Sequence, residues 1–240
     1  METISSNRPK IVVIGSCNTD MVVKANRLPV PGETILGGTF YMNPGGKGAN
    51  QAIAAARLGA EVTFISKIGY DLFGLQALEI YRSEKINTEF IFTDQKSPSG
   101  VALISVDSFG ENSIIVAPGA SRSLSTEDIN KAEEKIKEAD IILMQLEVPI
   151  DTVEYAATIA NRYGKKIILN PAPASTLSNS FLNNVHTILP NRIEAEMLSG
   201  IKVMDIESAH RRERNRKCSH HFGKRRSLCE RKGRIYHDSC

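Results

Sequence analysis

Short, unbroken apolar runs alternate along this chain with stretches whose apolar residues return every three or four positions. The runs in "KIVVIGS", "EVTFISKIG", "DIILMQLE", "KKIILNP" and "HTILPN" predict strands buried on both faces, because a strand with one wet face would alternate apolar and polar residues. Helical spacing falls at 48–58, closed by Gly59, at 72–83 after Asp71, at 126–138, at 150–163, closed by Gly164, and at 192–199, closed by Gly200. Glycine just past a helix supplies the left-handed residue that ends it, and Ser125 with Asp128 has the spacing of a capping box. Strand, helix, strand in repetition predicts an α/β fold, a doubly wound and mostly parallel sheet.

Two segments break the rhythm, at 21–42 and 89–116. "MVVKANRLPVPGETILGGTFYM" and "EFIFTDQKSPSGVALISVDSFGENSIIV" are rich in Val, Ile, Phe and Thr, carry Pro-Gly, Ser-Gly and Gly-Glu-Asn turns, and show no helical period. They predict antiparallel ribbons that pack together as a small β lid. From His210 neither pattern continues. Phe222, Leu228, Ile235 and Tyr236 are the only large apolar residues there beyond cysteines, and a segment with so little to bury is expected to be disordered. The chain therefore divides into a domain at 1–209 and a tail at 210–240.

Charge sharpens that boundary. Residues 1–209 hold 19 Lys and Arg against 24 Asp and Glu, a net of −5, whereas residues 210–240 hold 11 against 3, a net of +8. The tail also holds Cys218, Cys229, Cys240, His210, His220, His221 and His237. These lack a paired C-x₂-C spacing, so no structured zinc module is expected, and a basic tail of this kind attracts RNA without specificity. With 240 residues and 41% apolar content, the chain can bury a sizeable core. Its longest apolar runs are too short to cross a bilayer, and "METISSNRPK" has no apolar signal core. A cytoplasmic protein with no membrane partner is expected.

In an open parallel sheet, ligands bind outside the carboxyl ends of the strands. Asn18, Asp20, Glu147, Asn170 and Asn191 stand at such ends, with Glu194 close behind. Asn18 and Asp20 share a face in extended chain, and a carboxylate beside an amide suits neighbouring hydroxyls of a sugar; an Asx-type turn closing the strand is the alternative. Glu147 is restrained by an apolar strand before it and Pro149 after it, although a solvated loop carboxylate would have the same neighbours. Asn191 and Glu194, three apart at a helix start, could offer an amide to a phosphate oxygen and a carboxylate to the water shell of Mg²⁺, or could be an N-cap and its acidic first turn.

The stretch "NPGGKGANQAIAAARLG" at 43–59 joins a glycine turn, one cation and a helix start. Gly48 follows Lys47 where a P-loop has Ser or Thr, and the glycines do not fall on G-x-G-x-x-G. Gly45, Gly46 and Gly48 let main-chain N–H groups approach a small ligand, Lys47 and Asn50 add donors, and the helix presents its positive end. A sugar and the phosphoryl group it receives would both suit such a loop; the alternative is a turn that only lets an Ala-rich helix pack closely. Cys17 is expected to be a small buried strand-end residue rather than a nucleophile.

Taken as a set, "GSCNTD", "PVPGET", "NPGGKGANQAIAAARLG", "KIGYDLFG", "SGVALISVDSFGEN", "MQLEVP", "LNPAPA" and "LPNRIEAEMLSG" resemble the ribokinase-like (phosphofructokinase-B-type) carbohydrate kinases over about residues 10–209. The resemblance implies an ATP-dependent kinase that phosphorylates ribose on its 5-hydroxyl, with Mg²⁺ as cofactor and a monovalent cation, K⁺, as activator. It implies that Asn18, Thr19, Asp20, Gly46, Lys47, Gly48, Ala49, Asn50 and Glu147 hold the sugar. Asn191 matches the position near the nucleotide phosphates, and Glu194 completes an N-x-x-E motif linked to Mg²⁺. The ribbons correspond to a lid that closes over the sugar and commonly forms a homodimer contact.

The resemblance ends where the composition changes. Its Gly-Ala-Gly-Asp segment, which supplies an anion hole and the aspartate that activates the sugar hydroxyl, occurs nowhere in the 240 residues. The adenine-binding segments and the K⁺ site are missing with it, so no catalytic residue is assigned. Truncation or a reading-frame shift near residue 209 is expected, leaving a chain that binds sugar without transferring phosphate. A related deoxyribokinase and a non-catalytic sugar-binding remnant are the alternatives.

Overall fold

A computed structural model describes residues 8–200 and 202, and the backbone alone of 217–222, 226–231 and 234–237. In chain order the strands are β1 (Lys10–Ile14), β2 (Asn18–Lys24), β3 (Thr39–Gly45), β4 (Glu61–Gly69), β5 (Ile91–Asp94), β6 (Gly100–Val106), β7 (Asn112–Ala117), β8 (Ile141–Met144), β9 (Lys166–Leu169), β10 (Thr187–Ile188), β11 (Lys217–Phe222), β12 (Arg226–Arg231) and β13 (Arg234–His237). The helices are α1 (Lys47–Arg57), α2 (Leu72–Ser83), α3 (Thr126–Lys131), α4 (Glu133–Glu138), α5 (Ile150–Arg162), α6 (Asn179–Asn184) and α7 (Arg192–Ser199).

Strands β10, β9, β8, β1, β4 and β5 lie side by side in that order, all parallel. β1 is central, and the chain builds outward from it first through β4 and β5, then on the other side through β8, β9 and β10. The strand order thus reverses at β1, and the ends of β1 and β8 open the crevice where such folds bind ligands. Both faces are covered, as the unbroken apolar runs require. Val12 and Ile14 pack with Ile129, Ile136, Ile142, Val153 and Ile159 from the α3–α5 side, while Val13 packs with Ala49, Ala52, Phe64 and Tyr81 from the α1 and α2 side. Among the described residues, no helix is long and apolar enough to cross a membrane.

The lid is a second sheet, β3-β2-β6-β7. Its two ribbons are antiparallel, as the turn signals predict, and they join through a parallel β2–β6 pairing. One part of the expected lid lies elsewhere. Ile91–Asp94 pairs in parallel with Ser66–Gly69 as the edge strand of the main sheet; alternation of Phe, Ile and Thr does not tell a covered edge strand from a lid strand. The predicted helix at 126–138 is divided at Ala132, whose N–H bonds to Ile129 O three residues back, and its capping box from Ser125 and Asp128 is present. Helix α6 carries no sequence signal beyond Ser178, because six residues with Phe181 alone buried are too few to show a period.

The pattern predicts no element beyond His210, yet the backbone of β11 runs parallel to β10, with β12 and β13 following antiparallel. An edge strand offers its N–H and C=O groups to any extended segment, whatever its side chains. The Cys and His side chains of the tail lie outside the described residues.

The lid is tied to the main sheet at Asp71. Its carboxylate caps α2 through Gly74 N at 2.9 Å and accepts from Ser99 N and Ser99 Oγ, each at 2.7 Å, immediately before β6 begins. Burial alone would raise the Asp71 carboxyl, but the donors from Ser99 and Gly74 outweigh it and hold the pKa below the usual aspartate value. Replacing Asp71 by Ala should therefore lower stability at pH 7 by about 2 kcal/mol, the upper end for a lost helix cap. The deficit in urea unfolding should shrink as pH falls below about 4, because a depressed carboxylate contributes only while it is ionised.

Candidate functional site

Helix α1 begins at Gly46, whose φ of 88° lets the chain turn sharply and whose lack of a side chain leaves the helix without a local cap. Glu147 supplies the cap from the loop after β8. Its Oε2 accepts from Lys47 N at 2.9 Å and from Ser16 Oγ at 2.5 Å, and its Oε1 faces Lys47 Nζ at 3.0 Å. Ser16 Oγ in turn accepts from Gly48 N at 3.4 Å. A carboxylate at a helix N-terminus is stabilised by the helix dipole as well as by these donors. The loop after β8, the end of β1 and the start of α1 are thereby locked around one charge.

The wall opposite is β2. Asn18 pairs with Gly45 on one side and Gly100 on the other, and Asp20 pairs with Asn43. Gly45 and Gly100 are glycines for a local reason: a Cβ at Gly45 would overlap the Asp20 carboxylate, and one at Gly100 would overlap Asn18 Oδ1. That oxygen is buried and has no hydrogen-bond partner among the described residues. An orphaned buried acceptor costs free energy, and a ligand hydroxyl would satisfy it. Burial raises the Asp20 pKa first, the nearby Glu147 charge raises it further, and Lys47 offsets part of this.

The structure thus brings together Asn18, Asp20, Gly46, Lys47, Gly48 and Glu147. Thr19 lies between Asn18 and Asp20 in β2 and so turns to the opposite face. Ala49 is buried in the core beneath, contributing its N–H to Ser16 O, and Asn50 is exposed on α1. Asn191 and Glu194 form a reciprocal capping box at α7: Asn191 N and Nδ2 each donate to Glu194 at 2.8 Å, and Glu194 N donates to Asn191 Oδ1 at 2.9 Å. Ser16 escaped the sequence pattern because a serine in a strand-end turn has no distinctive neighbour. Gly100, the first residue of β6, reads in sequence only as part of a Ser-Gly turn, so its close approach to Asn18 had no signal of its own. Cys17 is buried against Tyr81 OH at 2.9 Å, and its thiol is pushed up to about 11 chiefly by burial, so it is no thiolate nucleophile at neutral pH.

A doubly wound sheet, a β lid and a polar cradle where they meet place the molecule in a class, and comparison with known proteins specifies it. The pfkB family of carbohydrate kinases matches residues 8–219. A ribokinase of Haemophilus influenzae is 45% identical over 202 residues, covering 84% of this chain and 66% of the relative. A deoxyribokinase of Salmonella typhi is 39% identical over 194 residues, covering 80% and 63%. The structure of Arabidopsis thaliana ribokinase complexed with ribose and ATP superposes with a TM-score of 0.84 at 27% identity, covering 97% of this chain and 78% of that one. The fold is ribokinase-like, and the chain belongs to the pfkB family of carbohydrate kinases. It spans about two thirds or less of the length of the curated relatives named here.

Because the Asp20 pKa is raised, the carboxylate stabilises the fold only while protonated, and that contribution is lost as pH rises through its folded value. Asp20→Asn should therefore raise the thermal midpoint at pH 7. The gain should fade below about pH 4, where the aspartate is protonated in both states; a midpoint lowered at pH 7 would contradict the electrostatics described for the cradle.

Proposed function

We propose that this chain is the sugar-binding part of an ATP-dependent carbohydrate kinase whose substrate is a pentose, ribose foremost, phosphorylated on its 5-hydroxyl. The observation that carries the proposal is the unsatisfied Asn18 Oδ1 beside Asp20 and the Lys47–Glu147 pair under the lid. In this reading Asp20 accepts from two adjacent sugar hydroxyls, Asn18 accepts from a third, and Lys47 donates to a ring or hydroxyl oxygen. Gly46 and Gly48 keep the main chain close, Thr19 and Ala49 frame the cradle through their backbone, and Asn50 reaches the sugar from α1 when the lid closes. Relatives named ribokinase and the ribose complex of one of them support the assignment.

The nucleotide side is assigned to Asn191 and Glu194. Among the described residues, the side chains of exposed Asn191 and largely buried Glu194 bond only within their capping box, which leaves one Nδ2 hydrogen and carboxylate lone pairs for a phosphate oxygen and a water-bound Mg²⁺. ATP, when bound, supplies the phosphoryl group, and Mg²⁺ screens its charge. The lid face turned away from Asp20 exposes Phe40, Met42, Leu103 and Ile115, an apolar surface suited to a homodimer contact. The protein acts in the cytoplasm, where ATP and free pentose meet.

Phosphoryl transfer rests on positioning and on stabilising charge in the moving group. A polypeptide of these 240 residues has no Gly-Ala-Gly-Asp segment, so it binds pentose without turnover. Calorimetric titration should give heat with ribose and no ribose-dependent ADP release, and Asp20→Ala should weaken ribose binding at least about tenfold, as expected for a charged hydrogen bond. Heat with 2-deoxyribose but not ribose would favour the deoxyribokinase alternative, supported by the Salmonella typhi relative. No heat with any pentose would overturn the assignment.

A further inference from the structure

Two residues before Glu147, Gln145 is wholly buried and donates from Nε2 to Gln51 Oε1 at 2.5 Å. Gln51 lies four residues after Lys47, so both occupy one face of α1 on successive turns. The loop after β8 therefore grips the helix twice, with Glu147 on the first turn and Gln145 on the second. Gly15 makes room for this grip: a Cβ there would overlap Gln145 Oε1 and lie 2.9 Å from Gly48 Cα.

Helix α1 needs such a grip. It packs inward through Ala49, Ala52, Ile53 and Ala55, a surface made mostly of methyl groups with little to resist sliding along the sheet. Apolar contact is non-directional, whereas a hydrogen bond between two amides fixes axial position. The amide also carries a burden that an apolar pair would not, since Gln145 Oε1 is buried without a hydrogen-bond partner among the described residues.

We propose that Gln145 and Gln51 are positioning residues, an amide clamp that sets the register of α1 and so holds Lys47 and Gly48 in place for the sugar. The clamp deepens the sugar-binding proposal and rests on it for its consequence in binding, but its effect on the helix start is independent of any ligand. The amides of Lys47 and Gly48, bonded to Glu147 and Ser16, report that effect directly.

The test uses the full chain with Gln51→Met, Gln145→Met and Gln51→Glu, read by residue-resolved hydrogen exchange and by ribose calorimetry. Gln51→Met should speed exchange at Lys47 and Gly48 about tenfold while Val13 and Phe64 in the sheet keep their protection, and ribose affinity should fall by about the same factor. Gln51→Glu retains an acceptor for Gln145 Nε2 and should restore the protection. Gln51 is only half-buried, so its variants serve even if Gln145→Met fails to fold. Unchanged exchange at Lys47 and Gly48 in Gln51→Met would overturn the clamp. If the unaltered chain takes up no ribose, the sugar assignment falls by itself and the exchange data alone decide the clamp.

Discussion

A helix that starts at glycine has backbone donors and no side chain to meet them, and the rest of this site follows from how that need is answered. Glu147, distant in sequence, brings one carboxylate to Lys47 N, Lys47 Nζ and Ser16 Oγ. Three segments that share no local sequence relationship are held at a single point by charge-assisted hydrogen bonds, about twice as strong as neutral ones. The carboxylate can sit there because the helix end is electropositive, and because the main sheet reverses its strand order beside it, opening the space.

The cost of the arrangement appears on the facing wall. Asp20 is half withdrawn from water close to the Glu147 charge and is harder to ionise than an exposed aspartate. Asn18 Oδ1 is withdrawn altogether without a donor. Folding alone would not select either feature, since a buried polar group without a partner destabilises. Such local conflicts concentrate where a protein binds something, and both lie where the lid strand β2 meets the loop before α1. The Asp71–Ser99 contacts then fix where the lid leaves the main sheet, so the cradle and its cover share one frame.

Much of the fold was legible in residue order. Unbroken apolar runs identified β1, β4, β8, β9 and β10, and helical spacing with capping residues identified α1, α2, α5 and α7, because those signals arise from near-neighbour geometry. α6 was illegible for want of length, and Ile91–Asp94 was misread as lid because an edge strand under a helix and a strand in a half-wet sheet can carry the same alternation. In the site, Asn18, Asp20 and Glu147 stood out as polar residues at the ends of apolar strands, and Lys47 as the one cation in a glycine turn that starts a helix. Ser16, Gly100, Gln51 and Gln145 did not.

Sequence by itself determined which segments are strands and helices, that both sheet faces are covered, that a lid interrupts the main fold, and which family the chain resembles. These follow from periodicity, from turn chemistry and from motifs read in order. Only the tertiary structure decided that Glu147 caps α1, that Gly45 and Gly100 clear space for Asp20 and Asn18, and that Gln145 reaches Gln51. Those contacts join residues up to 100 positions apart, and such pairings are set by the register of neighbouring strands, which no local pattern encodes.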